Sequence, residues 1–139
     1  MDLNEHRLDE NKEIDGVWVP LDTTTEIKVA RFLNTNHRKY INKAMEPYRK
    51  LNRAGKVPED VSEKIEIEAI AKTILLDWSG LTEKGKEVKY STEEAVRILS
   101  NKKYSWFLDF VRETANDMEL YNEEVVAEGE ENIKKLSTG

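Results

Sequence analysis

The chain has 139 residues, of which 36% are charged and 38% hydrophobic, with a formal net charge of -6 and a mean hydropathy of -0.72. A chain of this length is expected to form one domain and to bury roughly 68–70% of its unfolded surface, enough for a core without covalent staples. The absence of cysteine excludes disulfide frameworks, thiol nucleophiles and cysteine-ligated zinc or iron–sulfur sites.

No apolar run approaches the roughly 20 residues of a membrane helix. Met1-Asp2-Leu3-Asn4-Glu5 has neither the basic region nor the apolar stretch of a signal peptide. A soluble, intracellular protein with no membrane partner is therefore expected. Residues 1–13 are polar and aperiodic and read as a mobile leader.

Val17, Val19 and Leu21 alternate with Trp18 and Pro20, and Ile27 and Val29 with Glu26, Lys28 and Ala30. Two such runs around residues 21–25 predict a short β-hairpin. A lone hairpin is marginal in water, so its apolar face must lie on helices, with Trp18 expected in that cover. Asn34-Thr35-Asn36 supplies N-cap chemistry for a helix reaching about Ala54, and Gly55 ends it. Tyr40, Ile41, Ala44, Met45, Tyr48 and Leu51 form its apolar stripe. Pro47 lacks an N–H and clashes with the preceding turn, which predicts two pieces, 36–46 and 48–54.

Pro58 fits the first turn of the next helix. Val61, Ile65, Ile67, Ile70, Ile74 and Trp78 follow at helical spacing, and the stripe widens into Ala71, Leu75 and Leu76. This predicts a central helix over 61–78, nearly buried in its second half and ended by Ser79-Gly80. Leu81–Lys89 reads as a charged turn with Gly85 at its tip. Ser91 and Glu94 form a capping box for a helix that halts near Ser100-Asn101. A last helix carries Tyr104, Phe107, Leu108, Val111, Ala115 and Met118 on one side, flanked by Trp106 and Phe110. Residues 119–139 are acidic, and a loose helix, a tail or a segment that folds on a partner all remain open for them. The expected fold is mainly α: a compact helical domain, 14–118, with a short N-terminal β-hairpin between mobile acidic termini.

Charge is unevenly placed. Acids crowd residues 1–15 and 113–131, whereas residues 37–56 set Arg38, Lys39, Lys43, Arg49, Lys50, Arg53 and Lys56 against Glu46. Such a block is either a solvated helix face or a binding strip for an acidic partner. Nucleic acid is the less favoured partner, because an acidic protein repels phosphate outside that strip.

Little chemistry is available. His6 and His37 pair with no carboxylate at ligand spacing, no glycine-rich phosphate loop occurs and no serine stands in a GxSxG setting. Asp77, between Leu76 and Trp78, reads as structural. No catalytic, cofactor-binding or metal-binding residue is assigned and no enzyme is expected, which leaves macromolecular interaction.

Certain residues together resemble a known family. They are Ile27-Lys28-Val29-Ala30-Arg31-Phe32 with Asn34; Tyr40 and Pro47-Tyr48-Arg49; Leu75-Leu76-Asp77-Trp78 with Gly80-Leu81; Tyr90-Ser91, Ala95 and Leu99; and Tyr104, Phe107, Phe110-Val111 and Ala115-Asn116-Asp117. Over roughly residues 14–122 the pattern resembles the small tail assembly chaperones of long-tailed phages and prophages. The resemblance implies a non-enzymatic, mainly helical protein of the host cytoplasm, absent from the mature virion. It implies binding of the tape measure protein until tail tube subunits polymerise. It also implies a longer frameshifted form that recruits tail tube protein, and Lys134-Lys135 is compatible with an A-rich slippery codon pair.

Such a chaperone would cover apolar helical stripes that otherwise aggregate. The candidate partner-binding residues are Tyr40, Met45 and Tyr48 with Arg38, Lys39, Lys43, Arg49 and Arg53 on the kinked helix. The competing expectation is that Tyr40, Met45 and Tyr48 pack on the helix over 61–78. The alternative function is a small nucleic-acid-associated regulator using the basic helix 36–56. Oligomeric state is left open.

Overall fold

The computed structural model describes residues 1–123, so the expectations for 124–139 lie outside the described residues. The predicted hairpin forms as β1 (Val17–Pro20) and β2 (Glu26–Val29), antiparallel, with Val19 opposite Ile27. Its turn is closed by Asp22, whose carboxylate accepts the N–H groups of Thr24 at 2.8 Å and Thr25 at 2.7 Å. The Thr24 N–H, above all, holds that carboxyl below its ordinary range.

The hairpin does not stand alone. β3 (Leu75–Ser79) pairs antiparallel with β2, giving a sheet of order β1-β2-β3 in which Trp78 lies opposite Ile27. A second hairpin, β4 (Thr82–Glu83) and β5 (Lys86–Glu87), follows. Lys84 at φ 51° and Gly85 at φ 79° are its two left-handed turn residues, the geometry that suits a two-residue hairpin loop. These strands correct the mainly α expectation: the fold is a mixture of helices and sheet. The predicted helix over 61–78 ends early, as α4 (Glu59–Thr73), and Ile74 is its cap. The reason is burial. No residue from Leu75 to Trp78 is exposed, and a strand covered on both faces loses its alternation and reads as the continuation of an apolar helix. Gly80, at φ 80°, turns the chain out of β3 against the first hairpin, where a Cβ would strike the Thr24 carbonyl oxygen.

The other helices follow their local signals. α2 (Thr35–Met45) begins at Asn34, whose side-chain oxygen accepts the His37 N–H at 3.0 Å. A 3₁₀ turn over Glu46–Tyr48 interrupts it at Pro47, and α3 (Arg49–Arg53) resumes. α5 (Thr92–Ser100) is capped by Ser91, whose hydroxyl accepts the Glu94 N–H at 3.0 Å. α6 (Ser105–Asn116) completes the set. α4 packs against α2, α5 and β3, and α6 reaches β2 and α5. Ile27, Val29, Ile70, Ile74, Leu75, Leu99, Phe107 and Val111 fill the space between sheet and helices. Trp18 takes no part in that cover: it is 45% exposed, on the face of β1 opposite the buried Val19.

The termini also depart from the expected mobile flanks. Within the leader, α1 (Glu10–Asp15) is capped by Asp9, and Glu13 pairs with Arg31 at 3.0 Å. The two ends of the described chain then meet. The Asp9 N–H donates to the Tyr121 carbonyl at 2.7 Å, and Leu8 bridges Asn122. Tyr121 is fully buried, and its hydroxyl donates to the Val29 carbonyl at 3.0 Å. Acidic composition suggested solvated ends, but Leu8 and Tyr121 hold these segments together as a strap across β2.

Candidate functional site

The basic residues singled out by sequence lie on α2 and α3. Arg38, Lys39, Lys43, Arg49 and Arg53 are all exposed. Arg49 pairs with Glu46 at 3.7 Å; the other four make no ion pair among the described residues. Tyr40, Met45 and Tyr48 are half-buried on the same element, and α2 packs on α4. The Tyr40 hydroxyl donates to Glu68 at 3.2 Å and accepts from Lys72 at 3.3 Å, with the Lys72 ammonium 5.0 Å from the ring centre. Tyr40 is thus engaged by α4. The structure leaves the basic side chains exposed and the aromatic ones half-buried.

A different region leaves one large aromatic side chain in water beside an apolar cleft. Between the β4–β5 hairpin, α5 and the start of α6 lies a cleft of about 240 Å³. Leu81, Val88, Ile98, Tyr104, Trp106 and Phe107 give it an apolar lining. Trp106 is 56% exposed and meets Phe107 edge-on, with ring centres 5.7 Å apart. Leaving an indole this far in water forgoes much of the hydrophobic gain of burying it, which makes Trp106 and the cleft beside it a candidate contact surface.

The walls of this cleft are pinned. The Tyr104 hydroxyl donates to Glu83 at 2.5 Å, and Arg97 bridges Glu83 at 3.1 Å and Glu94 at 2.6 Å. These bonds tie the small hairpin to both helices. Sharing that proton with Glu83 raises the Tyr104 phenol above its ordinary range, and the same bond, seconded by Arg97, holds the Glu83 carboxyl below its own. Behind the cleft the Trp78 indole N–H donates to the Val88 carbonyl at 2.7 Å, and the Tyr90 hydroxyl to the Leu75 carbonyl at 2.8 Å. The two rings meet edge-on at 4.9 Å. Hydrogen bonds from Trp78 and Tyr90 therefore tie the segment before Ser91 to β3 behind the cleft.

Sequence reasoning placed Trp106 beside the α6 stripe without assigning it a role. The available signal was its offset: Tyr104, Phe107, Leu108 and Val111 follow the inward stripe, and Trp106 falls outside it. Among the described residues no group of three or more His, Asp or Glu converges to hold a metal ion, and no helix is long and apolar enough to cross a membrane. Asp77 accepts the Trp78 N–H at 2.8 Å. What the geometry offers is apolar contact in one place and positive charge in another.

A family model described as "YdaY prophage protein" matches residues 32–132. No curated protein and no solved structure matches the chain. The match takes in the whole Trp106 cleft and the basic strip, and leaves out β1, β2 and α1.

Proposed function

The chain belongs to the YdaY prophage protein family, and from that premise we propose that it is a tail assembly chaperone. It binds the tape measure protein in the host cytoplasm before tail tube subunits polymerise, catalyses no reaction and does not remain in the mature virion. A longer frameshifted form brings in tail tube protein.

The observation that carries this reading is the Trp106 cleft. A long helical protein awaiting its tube exposes apolar stripes that associate with one another. A groove lined by aromatic and branched side chains accepts such a stripe in the helix-in-groove mode. Trp106 then supplies the large, low-entropy anchor that concentrates binding energy in interfaces. The family match supports the prophage setting, and the resemblance over residues 14–122 supports the partner. The net charge of -6 favours keeping a loaded complex apart from other complexes.

The test is co-expression with the tape measure protein encoded in the same prophage. The expected outcome is a soluble complex that survives gel filtration, with the tape measure protein insoluble when expressed alone. A tape measure protein that stays insoluble in both cases overturns the proposal. Retention of the chain on mixed nucleic acid that weakens steeply with salt, and is lost in Lys39→Glu/Lys43→Glu, would instead favour a regulator acting through the basic strip.

A further inference from the structure

Leu33 carries two local penalties at one residue. Its φ is 63°, a left-handed conformation that costs an L-residue roughly 1–2 kcal/mol, and its side chain is 53% exposed. The surroundings impose both. The Leu33 N–H donates to His37 Nδ1 at 3.1 Å, and His37 is fully buried with its ring 4.7 Å from Phe32. The Asn34 side chain bonds the Arg31 carbonyl at 2.8 Å, and the Phe32 N–H donates to the Ala115 carbonyl at 2.9 Å. Two buried polar side chains are thus committed to presenting one exposed leucine. Backbone strain that the surroundings over-determine gathers at ligand sites.

Met118, 52% exposed, shares a cleft of about 320 Å³ with Leu33, and Phe32 and Ala115 are also among its lining residues. That volume lies near the lower end of ordinary ligand sites. Two arginines line it as well. Arg31 is neutralised by Glu13 at 3.0 Å. Arg38 is exposed, makes no ion pair among the described residues and is followed by Lys39. Asp117, which follows Asn116 of the lining, accepts the Glu119 N–H at 3.2 Å and keeps its charge, but is not itself among the lining residues. The cleft therefore combines apolar walls with one guanidinium that makes no ion pair among the described residues.

We propose that the Leu33–Met118 cleft is a second docking site, which takes an acidic peptide segment of a partner protein. An apolar side chain enters between Leu33 and Met118, and a neighbouring carboxylate pairs with Arg38. Charge complementarity selects this occupant: a basic segment is repelled by Arg38 and Lys39, and a nucleic acid has phosphate but no branched aliphatic group for the walls. The site shares no residue with the Trp106 cleft and stands if the chaperone reading fails.

The probe is the peptide Gly-Glu-Glu-Leu-Glu-Glu-Gly, titrated into the full ¹⁵N-labelled chain, with a lysine-for-glutamate peptide as control. Amide shifts are expected at Leu33, Arg38 and Ala115–Met118, with binding that weakens as salt rises and no response to the control. Arg38→Glu should weaken binding by about tenfold or more with an unchanged melting temperature. Met118→Asp should abolish it, and Met118→Leu should retain it. Shifts at Trp106 instead, equal binding of the control, an unaffected Arg38→Glu variant, or a concentration-dependent dimer that buries this cleft would each overturn the proposal.

Discussion

Two aromatic residues at opposite ends of α6 are used in opposite ways. Tyr121, just beyond the end of the helix, is fully buried and its hydroxyl is satisfied by the Val29 carbonyl at 3.0 Å. Trp106, in the first turn, is 56% exposed beside an open cleft. Burial above all, with Asp117 second, raises the Tyr121 phenol above its ordinary range; a phenol held neutral there belongs to the core. The terminal end of the molecule has spent its aromatic surface on stability, whereas the hairpin end has left its own unspent.

The comparison breaks most sharply under truncation. Tyr121→Ala should lower unfolding free energy by about 3–5 kcal/mol, the range for a large aromatic removed from a core, as read from urea denaturation. Tyr121→Phe isolates the hydroxyl. It leaves the Val29 carbonyl short of a donor and should lower unfolding free energy by about 1–2 kcal/mol.

Acid should weaken the terminal end next. Burial depresses the His37 pKa below its ordinary 6.5, against a smaller opposing pull from Glu66. The neutral imidazole also accepts the Leu33 N–H through Nδ1, which protonation forbids. Above about pH 6.5 both folded and unfolded states hold a neutral ring. As pH falls, the unfolded state takes the proton first, so this contribution is lost progressively through the folded-state pKa. Urea midpoints between pH 7.5 and pH 5 should fall for the native chain and fall less for His37→Asn. At the other end, Trp106→Ala should change unfolding free energy by no more than about 1 kcal/mol, since the ring is mostly in water. A larger loss would mean that Trp106 is a core residue after all.

Much of this architecture is legible in the sequence, and where it is not the reason is physical. Asn34, Pro47 and Ser91 act within a few residues of themselves, so the start of α2, its interruption and the start of α5 follow from local chemistry alone. The alternation through Val19 and Ile27 marks the first hairpin because one of its faces is wet. β3 escapes because Leu75 and Trp78 are buried while Leu76 and Asp77 are half-buried, and its partner β2 lies about fifty residues earlier. A strand defined by a distant neighbour leaves little periodicity of its own. The terminal strap escapes for the same reason: Leu8 and Asn122 pair across almost the whole described sequence.

The candidate site was less legible. Sequence leaves two readings for Tyr40, Met45 and Tyr48, a contact surface or packing on the next helix, and Tyr40 is tied to Glu68 and Lys72 on α4. The cleft at Trp106 needs β4–β5 folded against α5 and α6, and the Arg97–Glu83–Tyr104 bonds that fix it join residues 14 and 21 positions apart. No motif spans them. Only the offset of Trp106 from its own helical stripe was visible in advance.

The most direct test of the account is a calorimetric titration of the full chain, native and Trp106→Ala, with the tape measure protein of the same prophage. The account predicts at least about tenfold weaker binding for the variant at an unchanged melting temperature. Equal affinity for the two chains would contradict it.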